Sequence, residues 1–280
     1  LIFGLCEGLG FQFERHEELA SPFVGGTGRR LLQNFCGNLD LQFEILAFDD
    51  DDEAEADLLE LIDSGVPAIV HVDLFYLPYF GSEMHFSGHR VIPVGYDEVN
   101  FYLADTGFPG IQSCPRAALA EARASAYPPY TPRRRRVVLS RPEAKPFVEE
   151  SITRAVFNNL KKFREQAPGY RLDKLTEFAD SLREYQKPRA LYVQIEKAGT
   201  GGGLCRKLYS QFLDQAFQIY SRGVYEEAGR LFAESAALWR QIAIEARNGR
   251  LEEAPQAVQR ISELEHRALD VLATFEADDL

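Results

Sequence analysis

The chain has 280 residues, of which 45% are apolar and 26% charged, a balance ordinary for a globular protein of one large or two modest domains. Its formal net charge of −12 argues against nucleic acid as the main partner, because phosphate binding needs a basic face, and is compatible with a cationic substrate. The cysteines Cys6, Cys36, Cys114 and Cys205 are scattered with no C-x-x-C pair, so neither a zinc site nor a disulfide framework is expected, and no metal is needed. No apolar run approaches the roughly 20 residues of a membrane span and no signal peptide is visible, so no membrane partner is expected and the cytoplasm is the expected compartment.

Read in chain order, Leu1 to Leu5 has the pattern of a helix end stopped by glycines, and a start at Leu1 within this run leads us to expect residues upstream. Phe11-Gln12-Phe13 reads as extended, Gly25-Gly26-Thr27-Gly28 as a loop, and Arg29 to Cys36 as a short helix. Phe43 to Phe48 suits a strand. Asp49 to Asp52 is an acidic helix start, favourable to the helix dipole, running into Ala56-Asp57-Leu58-Leu59-Glu60-Leu61-Ile62 and ended by Gly65. Pro67 to Asp73 is a buried strand. Two further strands follow, one opened by His89 and one ended by Asp105, turned by Asp97-Glu98. A helix from Pro115 to Ala124, a proline-rich turn and a last strand at Val137-Val138-Leu139 complete this part. Beyond Pro146 the pattern is helical. Stripes at Tyr209, Phe212, Leu213, Ala216, Phe217 and Tyr220, at Tyr225, Ala228, Phe232, Trp239 and Ile242, and at Ile261, Leu264, Ala268, Val271 and Phe275 each need a partner, which predicts a helical bundle. The fold class is therefore α+β, with a first domain over residues 1–143 built on a central antiparallel sheet and an α-helical domain over 144–280.

His89 is the leading catalytic candidate. It opens an apolar strand, Asp105 ends the next, and adjacent antiparallel strands can set the imidazole beside the carboxylate. The carboxylate then fixes the tautomer and leaves the other ring nitrogen to face a thiol. His85 competes for the base role. Asp73, Tyr76, Tyr79 and His85 are candidates for a substrate cleft, with Asp73 able to bind a substrate amine. Gly201, Gly202 and Gly203 before a helix that contains Arg206 form a candidate anion site, suited to the phosphate of a phosphopantetheine-linked acyl donor. The alternative is an interhelical loop with Arg206 in a structural salt bridge. Arg133-Arg134-Arg135-Arg136 is a dense basic run that either docks an acidic carrier protein or is a solvated loop.

The first half resembles the N-terminal family of butirosin biosynthesis protein H, through Phe3-Gly4-Leu5, Glu7 to Phe11, Asp73 to Tyr79, Gly88 to Asp97 and Ala104-Asp105-Thr106. The second half resembles the uncharacterised helical domain that often follows it, through Gly199 to Gly203, Arg206, Phe212-Leu213 and Trp239. The resemblance implies a papain-like fold, a Cys-His-Asp arrangement carried here by His89 and Asp105, and acyl transfer from a carrier-protein thioester to an amine. It places the nucleophilic cysteine upstream of Leu1. Cys6 stands where the family tends to have glycine and is a fallback only.

The expected function is a cysteine-dependent acyltransferase or a related amide hydrolase in secondary metabolism. An acyl carrier protein or a small-molecule amine would be the partner, and no cofactor is expected beyond the acyl donor. Two other readings stay open: a catalytically silent module that binds a small molecule or carrier protein, and an assembly protein whose helical domain forms a homo-oligomer.

Overall fold

A computed structural model describes residues 1–15, 22–127, 131–140, 148–185, 188–196 and 202–274. Its elements run α1 (Ile2–Leu5), β1 (Leu9–Glu14), β2 (Phe23–Thr27), α2 (Leu31–Asn38), β3 (Phe43–Leu46), α3 (Asp51–Asp63), β4 (Ala68–Val72), β5 (His89–Tyr96), β6 (Asn100–Ala104), β7 (Ile111–Pro115), α4 (Arg116–Ala124) and β8 (Arg136–Leu139). Among the described residues six more α-helices follow: α5 (Val148–Arg164), α6 (Leu175–Ser181), α7 (Pro188–Glu196), α8 (Gly202–Tyr220), α9 (Gly223–Arg247) and α10 (Ala254–Ala273). The fold is α+β, as the sequence predicts. The chain forms two compact units, a sheet unit of Leu41–Arg141 and a helical unit of Leu1–Asp40 with Pro142–Leu280.

The sheet unit holds one six-stranded sheet in the order β3-β8-β4-β5-β6-β7, every pairing antiparallel. Along β4, Ala68, Val70 and Val72 are buried while Ile69 and His71 are only partly so, the two-residue period of a strand with one covered face. Leu58 of α3 and Leu119 and Ala122 of α4 join Val70, Val72, Val91, Phe101, Leu103 and Cys114 in one apolar core. The acidic helix start works as expected. Asp50 is the N-cap, and its carboxylate accepts from the Asp52 and Glu53 N–H groups at 2.9 and 3.0 Å. Strand β7 has no counterpart in the sequence reading, because Cys114 is its only buried residue and no alternation marks it.

The helical unit corrects two expectations. Phe23–Thr27, overlapping the expected glycine loop, is a strand paired antiparallel with β1. Residues 1–15 and 22–40 belong to the helical unit, in contrast to the expected domain over 1–143. The reason is apolar: Leu5, Leu9, Phe11, Phe13 and Val24 share a core with Phe178, Tyr209, Phe212 and Trp239. Backbone bonds reinforce it, since Phe11 N–H donates to Gly169 O and Arg171 N–H to Phe11 O. The backbones also run close. A Cβ on Gly10 would sit 2.6 Å from the Gly169 carbonyl and from Gly28 N, so only glycine fits there. The three predicted stripes are buried along α8, α9 and α10 except at Phe217, Tyr220 and Val271, which are partly buried, and Phe275 lies outside the described residues.

Candidate active site

The site lies at one end of the sheet. Val72, the last residue of β4, is the register partner of His89, the first of β5. Ala104 ends β6 opposite Ile92 of β5, so Asp105 leaves the sheet on the same side. There His89 Nε2 lies 2.7 Å from Asp105 Oδ2. The Asp105 carboxylate has no exposed surface, and the imidazole keeps 19% of its side chain exposed. The expected pair is therefore formed, and its ring reaches solvent. Asp105 Oδ2 also accepts from the Tyr79 hydroxyl at 3.0 Å, and Oδ1 accepts from the Gly107 N–H at 2.9 Å.

Burial pushes the Asp105 carboxyl up, but hydrogen bonds from His89 and Gly107, the His89 charge and the Tyr79 hydroxyl outweigh it and hold the group below the usual carboxylate range. A carboxylate fixed in this way retains its charge and locks its imidazole partner. Because Asp105 takes Nε2, the nitrogen left for chemistry is Nδ1, which has no hydrogen-bond partner among the described residues. Tyr79 is pushed strongly upward, first by burial and then by its bond to Asp105, so it stays a neutral donor. Phe80 closes one side of His89 edge-on, 5.1 Å between ring centres, and Phe108 packs edge-on against Tyr79 and Phe80.

A second histidine and carboxylate pair stands beside the first. His85 Nδ1 lies 2.7 Å from Asp73 Oδ2, and Asp73 directly follows the strand residue paired with His89. Asp73 has no exposed surface. Its Oδ1 accepts from the Phe75 and Phe86 N–H groups at 3.1 and 2.9 Å, and its Oδ2 from the Ser125 hydroxyl at 2.8 Å. Burial raises its carboxyl and these bonds, led by that of His85, more than reverse the rise. The expected amine-binding role of Asp73 is corrected here, because every acceptor position of the carboxylate is already used inside the protein. Tyr79 is likewise committed to Asp105. Tyr76 meets the His85 ring edge-on at 5.6 Å, and the His85 ring is stacked between Phe75 and Tyr127, at 4.0 and 4.1 Å.

The model of the family described as butirosin biosynthesis protein H, N-terminal, matches residues 1–106. The model described as domain of unknown function (DUF4872) matches residues 117–272, more than half of the chain. The chain belongs to the DUF4872 family and carries the butirosin biosynthesis protein H N-terminal region ahead of it. No curated protein matches it.

Within the DUF4872 region the anion site anticipated at Gly201, Gly202, Gly203 and Arg206 is not available. Arg206 is fully buried. Its guanidinium grips both Glu265 oxygens, at 2.8 and 2.7 Å, and donates to the Gly10 carbonyl at 2.9 Å. Ser235 and the Trp239 indole N–H also donate to Glu265 Oε1. Gly202 and Gly203 are buried, and a Cβ on Gly202 would enter the Trp239 ring at 2.5 Å. Gly201 lies outside the described residues. Arg206 is thus the structural salt bridge of the alternative reading, enclosed where no phosphate can reach it.

Two arginines of the basic run are also spent internally. Arg134 pairs with Asp51, and Arg136, buried on β8, pairs with Asp57 and Glu44. Arg133 stays exposed and Arg135 half-buried.

None of the four thiols is activated where it stands. Cys6, in the helical unit at the end of α1, is raised to about 11 by burial and by the nearby Cys36 and Glu7. Burial likewise raises Cys36 and Cys205, and takes Cys114, which is fully enclosed, to about 11. The fallback role of Cys6 gains no support from such a neighbourhood. Sequence reasoning missed Phe80, Phe108, Ser125 and Tyr127. Phe80 carried a signal, since it continues the aromatic run from Tyr76, but nothing local marks Ser125. Among the described residues no helix is long and apolar enough to cross a membrane and no cluster of His, Cys, Asp and Glu is arranged to hold a metal.

Proposed function

We propose that the sheet unit supplies the general base and orienting carboxylate of a cysteine-dependent acyltransferase of a papain-like kind, in a biosynthetic role. The observation that carries this reading is the His89–Asp105 pair, at 2.7 Å, with the carboxylate buried and one imidazole nitrogen uncommitted. In the proposed reaction His89 Nδ1 removes the thiol proton, the thiolate attacks a thioester or amide carbonyl, and the leaving group departs. An amine then attacks the acyl-enzyme, its carbon–nitrogen bond forming as the carbon–sulfur bond breaks, and Asp105 stabilises the imidazolium throughout. Replacement of the amine by water gives the related hydrolase. The match to a family named for a biosynthesis protein supports the biosynthetic setting.

Burial raises all four thiols, so none of them is assigned the nucleophile's role; the family resemblance implies a cysteine upstream of Leu1 for it. The net charge of −12, with Arg134 and Arg136 paired inside the protein, favours a cationic small-molecule amine as acceptor over an acidic carrier protein as docking partner.

The test uses the full encoded protein with an N-acetylcysteamine thioester as donor and a primary amine as acceptor. Thiol release is expected, with a mass-mapped acyl adduct on one cysteine, and His89→Ala should slow it by about 10²–10⁴-fold. Release that is indifferent to His89→Ala overturns the reading. A folded protein that forms no adduct on any cysteine leaves the silent binding module in its place.

A further inference from the structure

Residues 73–88 connect β4 to β5, and the two ends of segment 74–88 are tied together at the carboxylate of Asp73. Asp73 Oδ1 accepts from Phe75 N–H near the start of the segment and from Phe86 N–H near its end. Leu74 N–H donates to Phe86 O across the same junction. Asp73 Oδ2 faces His85 Nδ1, and Ser125, just beyond α4, ties the same oxygen to the body of the sheet unit. His85 is itself held flat between Phe75 of the segment and Tyr127 beyond α4. The middle of the segment carries the two side chains that complete the first pair: Tyr79, which donates to Asp105, and Phe80, which covers His89.

We propose that Asp73 and His85 are positioning residues for the His89–Asp105 pair: they fasten the ends of segment 74–88, and the fastened segment holds Tyr79 on Asp105 and Phe80 against His89. This rests on the reading of His89 as the working base. It accounts for the spacing within Asp73-Leu74-Phe75-Tyr76-Leu77-Pro78-Tyr79, where the residue that closes the segment stands at one end and the residue that reaches the second carboxylate at the other. It also explains why two histidines with similar carboxylate partners differ in role. His85 has its ring faces covered by stacking and its partner saturated by four donors, whereas His89 meets the single ring of Phe80, edge-on.

The test is a nitrogen-15 NMR titration of the histidine rings in the full chain, for the wild type, His85→Phe, Asp73→Asn and Tyr79→Phe. His85→Phe keeps an aromatic ring in the stack and removes only the bond to Asp73. Asp73→Asn keeps an acceptor for the two backbone N–H groups and weakens the side-chain ties. The expected result is a change of about half a unit or more in the His89 midpoint, with a larger share of the Nδ1–H tautomer, in His85→Phe and in Asp73→Asn. Tyr79→Phe should produce the same change by itself, and His85→Phe should add little to it, as expected for residues acting along one route. If His85→Phe remains folded and the His89 midpoint and tautomer stay at their wild-type values, the proposal is overturned. Should Asp73→Asn not fold, the His85→Phe and Tyr79→Phe pair still decides. None of these readouts depends on turnover, so this proposal and the catalytic role of His89 can fail separately.

Discussion

Tyr79 donates to the same Asp105 oxygen that holds His89, so one carboxylate positions both an imidazole and a neutral donor. Removing it should strand both. Asp105→Ala is expected to destabilise the protein by about 1–3 kcal/mol, the cost of leaving a buried donor unpaired, as measured by urea unfolding at pH 7. The acid limb should change as well. The Asp105 carboxyl is depressed in the folded protein, so its contribution is present above the ordinary value of about 4 and is lost as pH falls through the folded value. The variant should therefore lose less stability than the wild type below about pH 4.

His71 makes a prediction of the same sign in a higher pH window. Burial, together with the Arg90 and Arg135 charges, lowers its imidazole to about 3, and Arg90 is its register partner on β5. Between about 6.5 and that value the unfolded chain binds a proton that the folded chain refuses. The stability that His71 permits is complete above about pH 6.5 and declines as pH falls. Urea midpoints at pH 7.5 and pH 5.0 should drop more for the wild type than for His71→Gln. Parallel drops would remove His71 as the cause.

Arg206 and Glu265 form a pair without exposed surface. Arg206→Met alone leaves a buried carboxylate unpaired and should cost about 3–5 kcal/mol. Adding Glu265→Leu should recover part of that loss, since the charge is gone. Recovery should be incomplete, because Ser235 and Trp239 then lose their acceptor. A denaturation series on the two variants checks both steps.

The four thiols should react slowly. With Ellman's reagent at pH 7.5, Cys114 and Cys205 are expected to stay silent until urea unfolds the chain, and Cys6, which is partly exposed, should react first but sluggishly. Rapid modification of any of the four at pH 6 would contradict the environments described and would restore that residue as a nucleophile.

What the sequence made legible was local. The acidic start of α3, the alternation of β4 and the three helical stripes each announce themselves within one element, because burial on one face leaves a period in the residues. His89 and Asp105 were legible because two consecutive strands joined by a short turn must lie side by side. The rest depended on distance along the chain. Gly25 and Gly26 have no side chains with which to show a strand alternation, so β2 was invisible. Phe11 pairs its backbone with Gly169 and Arg171, which no local pattern encodes. Asp73 and Arg206 were correctly marked as unusual, yet their partners Ser125 and Glu265 lie 52 and 59 positions away. A buried charge with a distant partner looks, in sequence, like a charge awaiting a ligand.

The position of β8 between β3 and β4 bears on any dissection of the gene. The two family matches invite a cut between residues 106 and 117, yet such a cut would strip the sheet of an interior strand, leaving β3 without its only neighbour and β4 with a raw edge. It would also sever the first forty positions from the core they complete. Separately expressed halves should therefore be recovered as insoluble or associating material, and co-expression of both pieces should rescue each other.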